Sequence, residues 1–459
     1  MFHKKTLAAL SGCALMLCSL GVAAQQTVTR KWELVVDGAA HSTDTWSGLS
    51  TDGFGNSHMT GNTRFAERSY YYDGIEARTV KVDRFGAVAW SAAHAGAGVL
   101  GAEGMGLDND VRGNVLVAAN DYLALLANGS MSMQSAVIKY DASGLVQWVR
   151  NYAGFWTKAI KVNAAGASYV AGLLQSAGVT QCMVAKYSAA GVLEWTKVLP
   201  GTPYDSTAIP VAVAVTRDGG AAVSCGTRIS GGVAGQQVAA YGATGALVWQ
   251  GRHEVAGVQS TTRQLLLDDN GNLVVLGQAN FGDFLLTKWS PTGAKLWAAT
   301  YDGGQSRSDE PNDMALDNAG NVYVTGSVNG SGVLFGQTAT LKFAGANGSL
   351  QWASAYGTGI YNAGKGLRVD GSGNVLVLAM NSTSQVLLKY NAAGGLSWAD
   401  IVPAGTRQVV AGAGMTVGIA IDATGCFVIS GATTSPQVGA YANNDLVLIK
   451  YCLGAQSCF

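Results

Sequence analysis

A Trp recurs along this chain behind a fixed upstream half, and that pairing restricts the fold more than any other feature. Full copies read KVDRFGAVAW, KYDASGLVQW, KYSAAGVLEW, AYGATGALVW, KWSPTGAKLW, KFAGANGSLQW and KYNAAGGLSW, ending at Trp90, Trp148, Trp195, Trp249, Trp297, Trp352 and Trp398. Trp32 stands near the start without the upstream half, and Lys450-Tyr451 near the end is an upstream half without a Trp. An array whose outer units are complementary fragments predicts that the two ends of the chain share one unit.

A second landmark precedes each copy. Its clearest forms start at Asp52, Asp110, Asp268, Asp317 and Asp370, each reading Asp-x-x-Gly-Asn, with weaker forms at Asn163, Thr216 and Asp422. Asp opens a turn by bonding its own backbone, and Gly supplies positive φ. A short apolar run before the turn and a run such as NVYVTG after it make a hairpin. The next run, such as FLLTKW, leads through the Gly turn into the strand that bears the Trp. That makes four strands per unit. Trp-to-Trp intervals run from 46 to 58 residues, the period of propeller blades. The expected fold is all-β: a single β-propeller of eight four-stranded blades, with seven as the alternative. The last blade would combine three strands from Ala413–Tyr451 with a fourth from Lys31–Gly38. A repeated Trp suits blade-to-blade contact, because it removes a large apolar area from water while its N–H reaches a backbone carbonyl.

Composition agrees with short strands and tight turns. Gly is about twice as frequent as usual, and charged residues are 13% of the chain, about half the usual share. Residues 1–24 read as a secretory signal: Lys4 and Lys5, an apolar stretch from Leu7 to Val22, and a small-residue cleavage site before Gln25. The propeller domain is then 25–459. Without the signal, 27 basic side chains face 29 acidic ones, and no basic stripe points to nucleic acid. No later segment has membrane-spanning length. The localisation expected is bacterial: secreted, periplasmic or at the cell surface. Of the Cys outside the signal, Cys452 and Cys458 bracket the C-terminal stretch as a disulfide candidate, while Cys225 and Cys426 read as buried thiols.

With its unit written Asp-x-x-Gly-Asn-Val-Tyr-Val-Thr-Gly … Lys-Tyr-x-x-x-Gly-x-x-x-Trp, the chain resembles the bacterial SBBP-type β-propeller repeat family, most closely over Asp317–Trp352. That resemblance implies a scaffold or binding role and brings no catalytic residues. The Gly-x-x-x-Trp half is also similar to the docking motif of the eight-bladed pyrroloquinoline-quinone (PQQ) propellers. Those enzymes carry adjacent cysteines and calcium-binding carboxylates; no Cys-Cys pair occurs here. The cofactor expectation is none, with calcium and PQQ left as unsupported alternatives.

Among residues that carry chemistry, His41, His58, His94 and His253 are scattered over separate units and read as structural. The repeated Asp residues read as turn caps rather than calcium ligands, since calcium takes six or more oxygens. The repeated Lys residues (Lys81, Lys139, Lys186, Lys288, Lys342, Lys389, Lys450) mark strand ends and pair locally. Two long inserts are the binding candidates: Thr63–Ala77, with Arg64, Arg68, Tyr70, Tyr71, Tyr72 and Asp73, and Asp121–Gln134, with Tyr122, Met131 and Met133. Tyr beside Asp and Arg suits stacking on a sugar or grasping a peptide. The expected function is a non-enzymatic module for a protein or polysaccharide partner. The alternative is a propeller enzyme, quinone-linked or carbohydrate-active, with its site at the central channel.

Overall fold

The structure is a computed structural model. It describes residues 28–38, 44–64, 74–96, 100–126, 131–176, 178–199, 211–227, 235–254, 260–279, 282–304, 309–329, 336–357, 362–381, 385–401, 409–410, 418–421, 426–435 and 443–453. Every regular element among them is a β-strand. Among the described residues no helix is long and apolar enough to cross a membrane.

The unit expected from the sequence is present as an antiparallel four-stranded meander. In one copy its strands are Glu310–Leu316, Val322–Val328, Gln337–Phe343 and Leu350–Tyr356, paired in that order. The two middle strands are largely buried on both faces, and every residue of Val322–Val328 is buried. The fourth strand alternates, with the Trp turned inward. Its exposed partners leave only one side of that strand to pack.

Five such sheets stand alone. A further sheet of eight strands consists of two meanders, Thr45–His94 and Gly101–Ala153, joined by a single parallel pair, Ile75 with Gly101. In the remaining sheet Gly418–Ile421 pairs with Phe427–Ser435, then Asn443–Leu453, then Val28–Val36. The two incomplete sequence fragments are therefore neighbours: Trp32 lies opposite Lys450, and Val36 opposite Leu446.

First strands lie against first strands. Thr45–Thr51 touches Gly101–Asn109, and the contacts continue through Phe155–Val162, Val211–Val215, Gln264–Leu267, Glu310–Leu316 and Asn362–Val369 to Gly418–Ile421, which touches Thr45–Thr51. The cores sit between successive sheets. One unites Tyr169, Leu173, Val184 and Trp195 with Val211, Val223 and Tyr241. Another unites Met59, Val80 and Val82 of the first sheet with Val428, Leu446 and Leu448 of the last. Burying one such side chain contributes about 1.5–3 kcal/mol, and each core repeats the gain.

The Gly and the Trp of the motif recur in register because they meet across sheets. A Cβ added to Gly86 would fall 2.5 Å from the Trp32 ring, one on Gly144 2.6 Å from Trp90, and one on Gly191 2.6 Å from Trp148. The same contact joins Gly245 to Trp195, Gly293 to Trp249, Gly348 to Trp297 and Gly394 to Trp352. The indoles of Trp32, Trp90, Trp148, Trp195, Trp297 and Trp352 also donate their N–H to a turn carbonyl of the next sheet, as from Trp90 to Ala142 at 3.2 Å and from Trp297 to Gly345 at 3.0 Å.

The cysteines depart from expectation. Cys452 is bonded to Cys426, not to Cys458, which lies outside the described residues. Phe427 pairs with Tyr451, so the flanking Cys426 and Cys452 stand side by side, with Cα atoms 4.4 Å apart. Cys225 is not a free thiol either. It is bonded to Cys182 of the preceding sheet across 6.6 Å between Cα atoms, covalently linking two units.

Candidate functional site

Antiparallel meanders have two ends, and they differ in chemistry. The turn between the first and second strands and the turn between the third and fourth share one end. There Asp52 accepts from the backbone N–H groups of Phe54 and Asn56, both at 2.9 Å, and from the Asn56 side chain at 2.8 Å. Asp110, Asp268, Asp317 and Asp370 repeat this set. The repeated Asp is a turn cap, as its spacing implied.

The repeated Lys completes the latch. Lys288 is 2.8 Å from Asp268, and Lys81 is 3.7 Å from Asp52. Lys139 and Trp148 donate to one carbonyl, that of Ala189; Lys186 and Trp195 share Ala243, and Lys288 and Trp297 share Gly345. Burial alone would raise the Asp268 carboxyl, yet bonds from Lys288 and Asn272 hold it below its ordinary value. These charges are consumed in holding turn to turn.

The opposite end carries the second-to-third strand loops and the passages between units. Two clusters of three carboxylates lie here: Asp37, Asp44 and Asp445, and Asp283, Asp302 and Asp309. They occupy equivalent places in the repeat. Asp37-Gly38 and Asp302-Gly303 end a fourth strand, Asp44 and Asp309 follow seven residues after the first Asp, and Asp445 and Asp283 stand five residues before Lys450 and Lys288. Gly38 N–H donates to Asp44 at 2.8 Å, and Gly303 N–H to Asp309 at 2.6 Å. Burial pushes the Asp44 carboxyl up to about 7, against the lowering bonds from Gly38 and Arg64, with Asp37 and Asp445 adding to the rise. Asp309 is raised for the same reasons, burial first and then Asp302 and Asp283. Binding through one oxygen each, three carboxylates would supply a cation three of the roughly six to eight oxygens that calcium takes.

Between these clusters along the chain the same end holds a neutral and ionic network. The His94 imidazole meets Asp121 at 2.8 Å, and the other Asp121 oxygen accepts from Gln134 at 3.2 Å and Asn151 at 3.0 Å. Glu103 accepts from the Tyr122 hydroxyl and, at 3.5 Å, from Asn62. Of the remaining histidines, burial and then Lys81 lower His58 to about 4, and burial and then Lys295 lower His253. Both are neutral interior groups.

The binding candidates divide. Arg64 ends the strand Ser57–Arg64, and its N–H donates to Asp44 at 3.2 Å. Arg68, Tyr70, Tyr71, Tyr72 and Asp73 lie outside the described residues. The second insert is not a surface loop at Tyr122. The strands Val115–Leu125 and Met131–Tyr140 run on past the usual seven residues, and Tyr122 is buried within them. Of the eight Trp residues, Trp32, Trp90, Trp148, Trp195, Trp249, Trp297 and Trp352 pack against the Gly of the next sheet's turn. The carboxylate clusters were not anticipated, although Asp-Gly-x5-Asp appears twice with identical spacing.

These sheets, in this order, define an all-β protein of the β-propeller class. Within it, residues 299–332 match the family model described as SBBP: Beta-propeller repeat, and the chain carries a repeat of that family there. The matched stretch contains the Asp302-Gly303…Asp309 segment and the Asp317 turn. Among solved structures the chain is similar to the Dos1 propeller, at 11% identity and TM-score 0.55, over 93% of this chain and 96% of that one. It is also similar to Sqt1 of Chaetomium thermophilum, at 10% identity and TM-score 0.51, over 93% and 99%. At such identities the likeness concerns the fold. A sequence comparison with curated proteins finds no match.

Proposed function

We propose that the chain is an exported, single eight-bladed propeller that binds a protein or glycan partner through the loop end and performs no reaction of its own. The eight-blade reading is supported by eight Trp positions, the run of first-strand contacts, and the pairing of Val28–Val36 with Asn443–Leu453. Export is supported by the signal-like residues 1–24.

The observation that carries the binding reading is the contrast between the two ends. Charges at the turn end are bonded to one another inside a unit, as Lys288 is to Asp268, whereas the loop end gathers two repeat-equivalent carboxylate clusters beside extended strands. Loops on a rigid scaffold are where recognition resides, and carboxylates suit both sugar hydroxyls and cationic peptide groups. His94 with Asp121 is the observation that favours an enzyme. Asp121 is nevertheless saturated by His94, Gln134 and Asn151, which suits a structural network better than a base.

The test is binding of the mature protein to a glycan array and to defined cationic and neutral peptides, beside the variant Asp302→Asn/Asp37→Asn. Saturable binding weakened by that variant supports the proposal. Binding indifferent to it overturns the choice of face, and dye reduction with an alcohol or sugar in the presence of PQQ and calcium would establish the enzyme instead. N-terminal sequencing of the protein recovered outside the cytoplasm should begin at Gln25.

A further inference from the structure

Seven units place a Lys opposite the Trp of the neighbouring strand, and one unit does not. The cross-strand partners are Lys81 with Trp90, Lys139 with Trp148, Lys186 with Trp195, Lys288 with Trp297, Lys342 with Trp352, Lys389 with Trp398 and Lys450 with Trp32. Opposite Trp249 stands Ala240. The same unit has Thr216 where five others have the capping Asp, although its turn bonds, Thr216 N–H to Gly220 and Gly219 N–H to Thr216, are kept. Both members of the buried ion pair are missing together, so neither is left uncompensated.

The space they would fill is open. A Cβ on Gly166 would lie 3.2 Å from the Asp110 carboxylate and 3.9 Å from the Lys139 ammonium; on Gly320 it would lie 3.3 Å from Asp268 and 3.4 Å from Lys288. On Gly271, at the same place beside the Ala240 unit, it would meet only a Pro291 ring carbon at 3.6 Å. A cavity of about 290 Å³ occupies this position, lined among others by Ala240, Tyr241, Trp249, Asp218, Gly271 and Pro291.

Elsewhere in this molecule the equivalent space holds an alkyl chain ending in an ammonium group. That ammonium donates to the carbonyl two residues beyond the aromatic that closes the third strand, Ala189, Ala243 or Gly345. Pro291 holds that turn position here, two residues after Trp289. The Trp249 ring supplies an aromatic wall, and aromatic faces attract cations. Asp218 supplies the carboxylate, its Oδ1 accepting from the Thr216 hydroxyl at 2.5 Å. Arg217 also lines the cavity, with its guanidinium bonded to the Asp269 carbonyl and 3.7 Å from the Asp269 carboxylate.

We propose that this cavity is a binding site for a primary alkylammonium group, supplied either by a free amine or by a lysine side chain of a partner. The site belongs to the turn end and does not depend on recognition at the loop end. From Ala240 outward, the piece the repeat omits is the aminopropyl arm of a lysine, and n-propylammonium is the matching probe.

Calorimetric titration, with Trp fluorescence as the second readout, compares n-propylammonium with the neutral isostere 1-propanol. The ammonium should bind at least about tenfold more tightly, as an aromatic wall and a carboxylate together require. Ala240→Lys, which fills the slot from within, should abolish binding, and Asp218→Asn at the mouth should weaken it while leaving the core intact. Blocked lysine, Nα-acetyl-lysine methylamide, separates the sources. Binding comparable to n-propylammonium assigns the site to a partner's lysine, and binding of the free amine alone assigns it to a small ligand. Equal binding of 1-propanol, persistence of binding in Ala240→Lys, or no saturation by millimolar amine overturns the proposal.

Discussion

Gly191 and Gly178 form a matched pair that isolates what the Gly of the repeat does. Their φ angles are nearly identical, 78° and 79°. A Cβ on Gly178 would meet nothing within 4 Å, whereas one on Gly191 would lie 2.6 Å from Trp148. Gly178→Ala should therefore cost only the left-handed backbone penalty, about 1–2 kcal/mol. Gly191→Ala adds the displacement of a packed indole, about 1–3 kcal/mol more. That ring is only 8% exposed and donates to Ala189 at 3.2 Å, so it has little room to yield. Equilibrium urea unfolding of the two variants measures the difference, and the cycle with Trp148→Ala assigns it. In the Trp148→Ala background the penalty at Gly191 should fall to that at Gly178. Equal losses at both positions in the wild-type background, or an undiminished penalty at Gly191 without the indole, would refute the docking explanation for the motif.

Other consequences are as specific. Asp44 has a folded value of about 7 against the ordinary 3.8, so the folded protein holds its proton more tightly, and stability falls as pH rises from about 4 to 7, by about 4 kcal/mol. His58 opposes this below 6.5, because its depressed value makes stability rise with pH from about 4; the difference between wild type and Asp44→Asn across pH 4–8 isolates the Asp44 slope. The Cys182–Cys225 bond, spanning 43 residues, should contribute about 4 kcal/mol through loop closure, measured as the stability lost in Cys182→Ser/Cys225→Ser. Thiol labelling of the oxidised mature protein should be confined to Cys458. Thr216→Asp with Ala240→Lys should rebuild the missing ion pair, and the double variant should exceed the sum of the single changes by about 1–3 kcal/mol in a double-mutant cycle.

The architecture was legible because local and long-range requirements fall on the same residues. Gly191 serves a turn and a cross-sheet contact at once, so its position cannot drift within the repeat. Asp52 satisfies three donors in five residues, which marks the turn without reference to anything distant. Trp32 and Lys450 could be matched across the chain because each lacked the other's half. The disulfides were hidden because a Cys at a strand position looks like any small apolar residue. Cys182 and Cys225 become partners only when successive sheets are stacked. The carboxylate clusters were hidden for a related reason: Asp44 and Asp37 are near in sequence, but Asp445 joins them only through the pairing of the chain's two ends. Tyr122 was misread because its segment lengthened as strand, not as loop, and alternating polarity does not separate those cases at Asp121–Gln134.

The distribution of charge follows from the scarcity of charged residues. Apolar sheets stacked face to face leave little interior room for ionisable groups, and a carboxylate buried without a partner is costly. At the turn end Asp52 pairs with Lys81 and Asp268 with Lys288 inside one unit, and the unit that lacks the Lys also lacks the Asp. At the loop end the carboxylates gather in threes. There Asp44 accepts two backbone N–H groups, and burial pushes it towards neutrality. Stability alone would favour neutral side chains at both sites, as the Asn362 and Gln337 positions show in the equivalent place of another unit, where Gln337 donates to Gly357 at 2.9 Å. Carboxylates kept at a stability cost, where amides fit the same repeat position, are the strongest physical reason to place recognition at the loop end.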